Sequence, residues 1–211
     1  MIFHATALSS YSAKVRLVLC IKGVDFEERE PPGGYRSECY RALVPMGTLP
    51  AIQEGDWVLS ESEAINEYLE ERYADPPMLP AGFHERARVR FLARFHDLYL
   101  EPAVRALFPR VRDPALDGAT LQRLRGTIEH RLQQLAGFCR PSPWLAGDRI
   151  TLADCGPLVT LPLAQRILAR WSQSLDVPTG LDAWLAEGWQ DPRVHRALAS
   201  WQKATDHWLT S

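Results

Sequence analysis

Serine hydroxyls stand at the predicted starts of two helices in the N-terminal part of the chain. Ser9 and Ser10 precede an apolar and basic run that ends at Ile21. Ser62 opens an amphipathic run that ends near Tyr73. A hydroxyl at the positive end of a helix can favour an anion, and the amides beside it can bind a carboxylate. The simpler interpretation of each serine is a helix cap, because serine is a preferred N-cap residue.

The cysteines show no pattern of a metal site. They are scattered along the chain at Cys20, Cys39, Cys139 and Cys155. They form no CxxC pair and share no ligand spacing with histidine, so we expect no metal. Free and mostly buried thiols are typical of a reducing compartment. The sequence therefore predicts a cytoplasmic protein.

Composition excludes several classes of protein. The 211 residues are 46% hydrophobic and 24% charged, with a net charge of −2, as in ordinary globular domains. The sequence contains no block of like charges of the kind that binds nucleic acids. No apolar run approaches the ~20 residues of a membrane span, and the first residues lack the basic and apolar regions of a signal peptide. The first 80 residues are net acidic and the remainder net basic, which fits chance, two bodies that attract each other, or attraction to a symmetric partner.

The elements that must position these serines fall into two regions. The order β-α-β-α-β-β-α is predicted for the first 75 residues, with strands at 2–5, 26–30, 49–53 and 57–59 and helices at 13–21, 37–43 and 61–73. Residues 76–83 are a predicted linker, because their prolines cannot continue a helix. An all-helical region follows over residues 84–211, with predicted helices at 84–108, 116–138, 152–169, 181–190 and 194–209.

Four local motifs occur in an order and spacing that resemble a known family. Ser9–Arg16 looks like a first-helix start of the form Ser-x-x-Ser-x-x-Val-Arg, and Pro45–Ala51 looks like a segment that ends in a cis-proline. Leu59–Ile65 looks like a Glu/Gln-Ser motif that opens a third helix, and Thr151–Asp154 looks like a capping box. Along essentially its whole length, the sequence resembles a glutathione S-transferase of the serine type, similar to zeta, theta and beta classes.

The resemblance implies an α/β plus all-α fold. Residues 1–75 would form a thioredoxin-like domain, with a mixed four-stranded sheet and three helices. Residues 84–211 would form a C-terminal helical bundle domain. Members of this family are usually two-fold homodimers, so the resemblance also implies a homodimer.

The resemblance also implies glutathione as the co-substrate, with no metal. Ser9 would donate to the glutathione sulfur with Ser10 as a helper, or the reverse. Each unit by which the thiol pKa falls below ~8.5 is worth ~1.4 kcal/mol of preference for the thiolate. A cis bond before Pro50 would turn the Leu49 backbone towards the cysteinyl residue of glutathione. The implied glutathione-binding residues are Thr48, Leu49, Pro50, Glu61 and Ser62.

Three positions depart from the family pattern. Val44 replaces an asparagine and Thr48 replaces a lysine or glutamine, so a contact to the glycine carboxylate of glutathione is weakened. Tyr11 replaces the cysteine of the zeta class. Chemistry that passes through a mixed disulfide needs that thiol and is disfavoured.

The second substrate would lie between the Ala7–Tyr11 turn and the helix that contains His96. The implied acceptor-pocket residues are Leu8, Tyr11, His96 and Tyr99. Other interpretations stay open, since a helix histidine is commonly a satisfied polar residue and Tyr99 is equally a core residue.

Three functions follow from the resemblance. The first is a detoxifying transferase in which the thiolate attacks a small, largely apolar electrophile. The second is glutathione-dependent cis–trans isomerisation of a maleyl-type diacid, which needs a cationic acceptor site. The third is a non-catalytic binding or regulatory protein, similar to stringent-starvation proteins, because the fold alone does not determine function.

Overall fold

The computed structural model describes all residues from Met1 to Ser211. Contacts within it separate two compact units. The first unit contains Met1–Met78 and Pro192–Trp208, and the second contains Leu79–Asp191 and Leu209–Ser211. This division differs from the predicted assignment of all residues after 84 to one helical domain.

The first unit is built on a mixed four-stranded sheet. Its strands are β1 (Ile2–His4), β2 (Glu27–Arg29), β3 (Ala51–Glu54) and β4 (Trp57–Ser60), in the spatial order β2-β1-β3-β4. β1 pairs in parallel with β2 and antiparallel with β3, and β3 pairs antiparallel with β4. The predicted order of elements and the predicted sheet are confirmed.

Helices α1 (Ser10–Ile21), α2 (Glu38–Leu43) and α3 (Ser62–Arg72) complete the predicted part of this unit. Two buried ion pairs join α1 to α3. Lys14 Nζ lies 2.9 Å from the Glu63 carboxylate, and Lys22 Nζ lies 2.6 Å from the Glu70 carboxylate. The two helices therefore run parallel, with their first turns side by side.

The first part of the predicted linker is fastened to the first unit. Lys22 Nζ donates to the carbonyl oxygens of Tyr73 and Pro76, at 2.7 and 3.0 Å. The Met78 amide donates to the Glu70 carboxylate at 3.0 Å. These bonds satisfy a lysine and a glutamate whose side chains are almost wholly buried.

The last helix, α10 (Pro192–Thr210), also contributes to the first unit. Val194, Leu198 and Trp201 are fully buried, with the three- and four-residue spacing of one helix face. The periodicity predicts this apolar face, but it does not specify the surface on which the face packs. The difference from the predicted domain boundary arises here.

The second unit is helical. Its helices are α4 (Phe83–Phe95), α5 (Glu101–Arg105), α6 (Gly118–Phe138), α7 (Leu152–Cys155), α8 (Pro157–Ala169) and α9 (Thr179–Gly188). A 3₁₀ turn covers Phe108–Arg110. No helix of the chain has both the length and the apolar character that crossing a membrane requires.

Two predicted helices of this unit are interrupted. The helix predicted over 84–108 contains a π-helical turn at His96–Leu100, where the Glu101 amide donates to the His96 carbonyl five residues back. Pro102 follows and has no amide hydrogen to keep the α-helical pattern. The helix predicted over 152–169 breaks at Gly156 for the same reason, because Pro157 begins α8.

Asp154 is the central polar residue of the second unit. Its carboxylate accepts from the Thr151 amide at 2.8 Å and from the Thr151 hydroxyl at 2.9 Å. It also accepts from the Leu145 amide and from the Trp184 indole, each at 2.9 Å. Complete burial raises the pKa of Asp154, and these hydrogen bonds oppose that rise. The predicted capping box at Thr151 and Asp154 is confirmed.

Candidate functional site

The register of the sheet brings three segments to one edge. His4 pairs with Ala51, and Ala51 pairs with Ser60. The end of β1, the start of β3 and the end of β4 therefore lie side by side. The segments that leave or enter the sheet here carry Ser9, the Leu49–Pro50 dipeptide and the Glu61–Ser62 dipeptide.

Ser9 is the N-cap residue of α1. Its Oγ accepts from the Ser12 amide at 3.2 Å, in a half-buried position. That bond uses a lone pair of Oγ and leaves the hydroxyl hydrogen available to a further acceptor. Ser10 is the first residue within α1 and is only 4% exposed. The geometry thus favours Ser9 over Ser10 as the donor to an anion at the positive end of α1.

Leu49 offers an unpaired main chain at the same edge. The Leu49–Pro50 bond is cis, as the family resemblance implies. Neither the Leu49 amide nor its carbonyl has a partner in the protein, because β3 begins only at Ala51. An unpaired edge of this kind can accept an extended peptide as an added strand.

Glu61 and Ser62 form an uncapped start of α3. Glu61 has φ 74° and ψ 112°, a conformation rare for a residue with a side chain, and that side chain makes no capping bond. Its carboxylate is exposed to solvent, whereas Ser62 is 7% exposed. The first amides of α3 consequently remain available to an anionic ligand.

The parallel packing of α1 and α3 joins these two helix starts. Lys14 lies in the second turn of α1 and Glu63 in the first turn of α3, and their ion pair is almost wholly buried. Lys14 Nζ also lies 5.8 Å from the centre of the Tyr11 ring. The N-termini of both helices, each carrying partial positive charge, therefore face the edge that holds Leu49.

Comparisons with known proteins identify the family of this chain. The family model of the glutathione S-transferase N-terminal domain matches residues 3–77. A glutathione S-transferase of Pseudomonas putida is 30% identical over 170 residues, which span 78% of this chain and 74% of that protein. Maleylacetoacetate isomerase of Pseudomonas aeruginosa is 32% identical over 203 residues, which span 89% and 84%. The chain belongs to the glutathione S-transferase family.

Further similarity lies within the same family. Maleylpyruvate isomerase of a Ralstonia species is 40% identical over 157 residues, which span 70% of this chain and 74% of that protein. A solved holo structure of maleylpyruvate isomerase, described as a bacterial zeta-class glutathione S-transferase, has a TM-score of 0.76 and 26% identity. It covers 95% of this chain and 98% of its own. The predicted family, fold class and enzyme class are confirmed.

Among the predicted acceptor residues of this transferase-family chain, His96 has an unexpected environment. It is 3% exposed. Its Nδ1 lies 2.9 Å from the Asp97 carboxylate, and its Nε2 lies 2.7 Å from Oγ of Thr160, a hydroxyl that donates to Glu101. Both ring nitrogens are thus engaged inside the second unit. His96 matches the alternative interpretation of a satisfied interior histidine, and we do not retain it as a pocket residue.

Tyr99 lies one helical turn further along and remains accessible. Its ring is 47% exposed and packs at 5.4 Å from the Phe95 ring, with the Arg131 guanidinium 5.4 Å from its centre. In the first unit, Leu8 is 38% exposed and Tyr11 is half-buried, directly before and after the two serines. These three side chains can each contact a bound molecule.

The thiols of this family member lie outside the sheet edge. Burial raises the pKa of Cys139 to about 11 and also raises the pKa of Cys20. Cys39 is exposed, and Cys155 is buried. No group of three or more histidine, cysteine or acidic side chains is arranged to hold a metal ion.

Sequence reasoning missed two interior contacts that hold segments of the site in place. Tyr40 lies on α2 and is fully buried, with its hydroxyl donating to the Thr48 carbonyl at 2.8 Å. The ion pair of Lys14 and Glu63 was missed as well. Both contacts join residues that are distant in the chain or lie in a weak helix, and no local pattern marks them. The one sequence signal for the ion pair was Lys14 itself, because a charged residue within an apolar run needs a partner when it is buried.

Proposed function

We propose that this member of the family binds glutathione at the sheet edge and activates its thiol as a thiolate for attack on an electrophile. The observation that carries the proposal is Ser9. Its hydroxyl hydrogen is available at the N-terminus of α1, beside an unpaired Leu49 main chain and an uncapped α3. Together these groups offer donors to a thiolate, a peptide main chain and a carboxylate.

Each part of glutathione finds a complementary group in this arrangement. The α-carboxylate of the γ-glutamyl end would accept from the Ser62 hydroxyl and from the first amides of α3. The exposed Glu61 carboxylate would pair with the neighbouring ammonium. The cysteinyl residue would pair with the Leu49 main chain as a short added strand. Thr48 and Pro50 flank that strand and shape its edge.

Thiolate formation would depend on Ser9. A free thiol with a pKa of ~8.5 is only a few per cent ionised at pH 7. A hydroxyl donor and the α1 dipole would lower that pKa, and each unit lowered corresponds to ~1.4 kcal/mol. The sulfur would then form a bond to the electrophilic carbon while the leaving group departs with its electron pair. The proton of the thiol is released to solvent when the thiolate forms.

The acceptor is proposed to be a small and largely apolar electrophile. Leu8 and Tyr11 precede and follow the serines, and both present apolar surface. Tyr99 stays a pocket residue by the family resemblance alone, and its exposed ring could contact a bound molecule. We do not include His96, because both of its ring nitrogens already have partners.

The proposal is tested by glutathione calorimetry together with conjugation of 1-chloro-2,4-dinitrobenzene. For Ser9→Ala we expect retained glutathione binding and a kcat about 10- to 100-fold lower, because the thiol pKa of bound glutathione would rise by about one to two units. Ser10→Ala should keep most of the activity. Asp117→Ala removes an exposed N-cap of α6 and controls for loss of a cap alone, because Asp117 accepts from the Thr120 amide at 2.8 Å.

The thiol pKa of bound glutathione should be read directly from thiolate absorbance near 240 nm as the pH rises. The wild-type complex should titrate below free glutathione, and the Ser9→Ala complex should titrate closer to it. A wild-type protein that fails to bind millimolar glutathione would overturn the proposal. The non-catalytic, regulatory function would then be the one to pursue.

A second function is favoured by two of the relatives. The maleylacetoacetate and maleylpyruvate isomerases are similar over 84% and 74% of their own lengths. The thiolate would add to the double bond of a maleyl-type diacid, allow rotation, and leave again with glutathione regenerated. Rates with maleylpyruvate and with the dinitrobenzene substrate, measured on one preparation, discriminate the two functions. Isomerase turnover far above the conjugation rate would assign the second.

Two further expectations belong to this proposal. A homodimer is expected from family membership, and light scattering at micromolar protein concentration measures it. A cytoplasmic location is expected from the sequence, and cell fractionation measures it.

A further inference from the structure

The segment that would bind the cysteinyl residue of glutathione is held from inside the protein by one hydroxyl. The Tyr40 Oη donates to the Thr48 carbonyl at 2.8 Å. Tyr40 is fully buried in a small core with Val44 and Ala51, and the Leu49 side chain packs against that core. The hydroxyl therefore reaches the binding segment from the side opposite to solvent.

The geometry of one peptide bond connects Tyr40 to the ligand edge. The bond between Thr48 and Leu49 is trans, so its carbonyl and its amide hydrogen point in opposite directions. Tyr40 holds the carbonyl inwards. The Leu49 amide hydrogen of the same rigid plane consequently points away from the core, and no acceptor in the protein receives it.

We propose that Tyr40 is a positioning residue for glutathione, because its hydroxyl sets the orientation of the Thr48–Leu49 peptide plane and so aims the Leu49 amide at the ligand. This inference rests on the proposed function of the site. Tyr40 itself touches neither glutathione nor the electrophile in this arrangement. Without its hydroxyl, the peptide plane gains freedom to rotate, and a ligand must restrict that freedom when it binds.

The Tyr40 hydroxyl should donate this hydrogen bond at every working pH of the enzyme. Burial raises the pKa of Tyr40, so the phenol stays protonated and keeps donating at every pH at which the enzyme would work. The α2 helix that carries Tyr40 is anchored in turn. The Ser37 hydroxyl caps α2 by accepting from the Tyr40 amide at 3.0 Å and donates to the Pro32 carbonyl at 2.6 Å.

The test is Tyr40→Phe, which removes one oxygen and keeps the ring in its core. Tyr68→Phe is the matched control. Tyr68 donates its hydroxyl to the Glu54 carboxylate at 2.7 Å, at the other end of β3 and away from the ligand edge. Each variant loses one tyrosine hydrogen bond to the same short region of chain.

We expect the glutathione Kd and KM of Tyr40→Phe to rise about three- to tenfold, the effect of losing one net hydrogen bond. The kcat at saturating glutathione and the KM for the electrophile should stay within about twofold of wild type, because the sulfur site is not altered. Tyr68→Phe should match wild type in all four quantities. 4-Aminophenylalanine in place of Tyr40 restores a donor and should recover most of the glutathione affinity.

Amide hydrogen exchange at Leu49 provides a second readout. Since this amide has no partner in the protein, it should exchange rapidly without ligand and slowly with glutathione bound. At matched occupancy, Tyr40→Phe should show less protection of this amide than wild type does. A protein that merely lost stability would not show this selective change.

Several outcomes would overturn the inference. An unchanged glutathione Kd in Tyr40→Phe, or equal losses in Tyr40→Phe and Tyr68→Phe, would each contradict a positioning role for Tyr40. If Tyr40→Phe fails to fold, an aminophenylalanine protein with weakened glutathione binding would contradict it too. Wild-type protein that binds no glutathione would overturn the proposed function and this inference together, whereas wild-type binding with an unaffected variant would overturn the inference alone.

Discussion

Replacing Asp154 with asparagine should destabilise the protein strongly, although the two side chains have nearly the same shape. Asp154 is fully buried and its two oxygens receive four hydrogen bonds. One oxygen accepts from the Leu145 amide and the Trp184 indole, and the other accepts from the Thr151 amide and hydroxyl. Asparagine offers one oxygen and one amide nitrogen. With its NH₂ group towards Leu145 and Trp184, it would face two N–H donors. Turned the other way, the NH₂ group would face the Thr151 amide and a Thr151 hydroxyl that can rotate to accept from it.

The magnitude follows from the number of donors left unpaired. A buried donor that loses its acceptor costs about 1–3 kcal/mol. The better orientation of the asparagine leaves one buried N–H donor, the Thr151 amide, without an acceptor, which implies a loss of about 2 kcal/mol for Asp154→Asn. In a protein of this length each kcal/mol corresponds to about 2–4 °C of melting temperature, so the Tm should fall by roughly 4–8 °C.

Urea unfolding followed by far-ultraviolet circular dichroism measures the effect. The control is Asp117→Asn at the exposed N-cap of α6, where the carboxylate accepts from the Thr120 amide and hydroxyl. Asparagine caps helices as well as aspartate does, so that variant should unfold like wild type. A loss below about 1 kcal/mol for Asp154→Asn would refute the claim that both carboxylate oxygens must accept.

Three further predictions concern other buried groups. Lys22→Met should cost about 3–5 kcal/mol in urea unfolding because it leaves the Glu70 carboxylate buried without its cation, and a variant as stable as wild type would contradict this. At pH 8 a thiol reagent should label the exposed Cys39 rapidly. Cys139 has a pKa of about 11, so only about one-thousandth of it is thiolate at pH 8, and it should label only after unfolding. Equal labelling rates for the two thiols would be inconsistent with the burial of Cys139. Gly156→Ala should lower the Tm through overpacking worth about 1–3 kcal/mol, because the new Cβ would collide with the His96 ring. An unchanged Tm would mean that this ring can move.

Much of the candidate site was predictable because its parts depend on near neighbours in the chain. The cap at Ser9 and the box at Thr151 and Asp154 each involve residues three apart, so a short motif specifies them. The order of strands and helices along the first unit follows from alternating strand and helix signals. The cis bond at Pro50 is not predictable from local preference, and only the family resemblance indicated it.

The interruptions in two of the helices could not be predicted from local sequence alone. Pro102 and Pro157 are visible in the sequence, and both remove an amide hydrogen. The sequence alone did not show whether a helix continues past such a residue through a π-helical turn, as at His96–Leu100, or restarts after a break. Packing on both sides of the proline decides between these outcomes.

Other features were decided only by the tertiary structure. The family resemblance made His96 a candidate acceptor-pocket residue. In the structure, both of its ring nitrogens lie within hydrogen-bond distance of interior partners, Asp97 and Thr160. In the sequence, Tyr40 is one residue of a weakly predicted helix. In the structure, its hydroxyl donates to the Thr48 carbonyl. Local motifs and periodicity determined which residues can cap, pair or bury. Which distant partner each one meets depends on how the chain packs, because such contacts join positions that no short pattern relates.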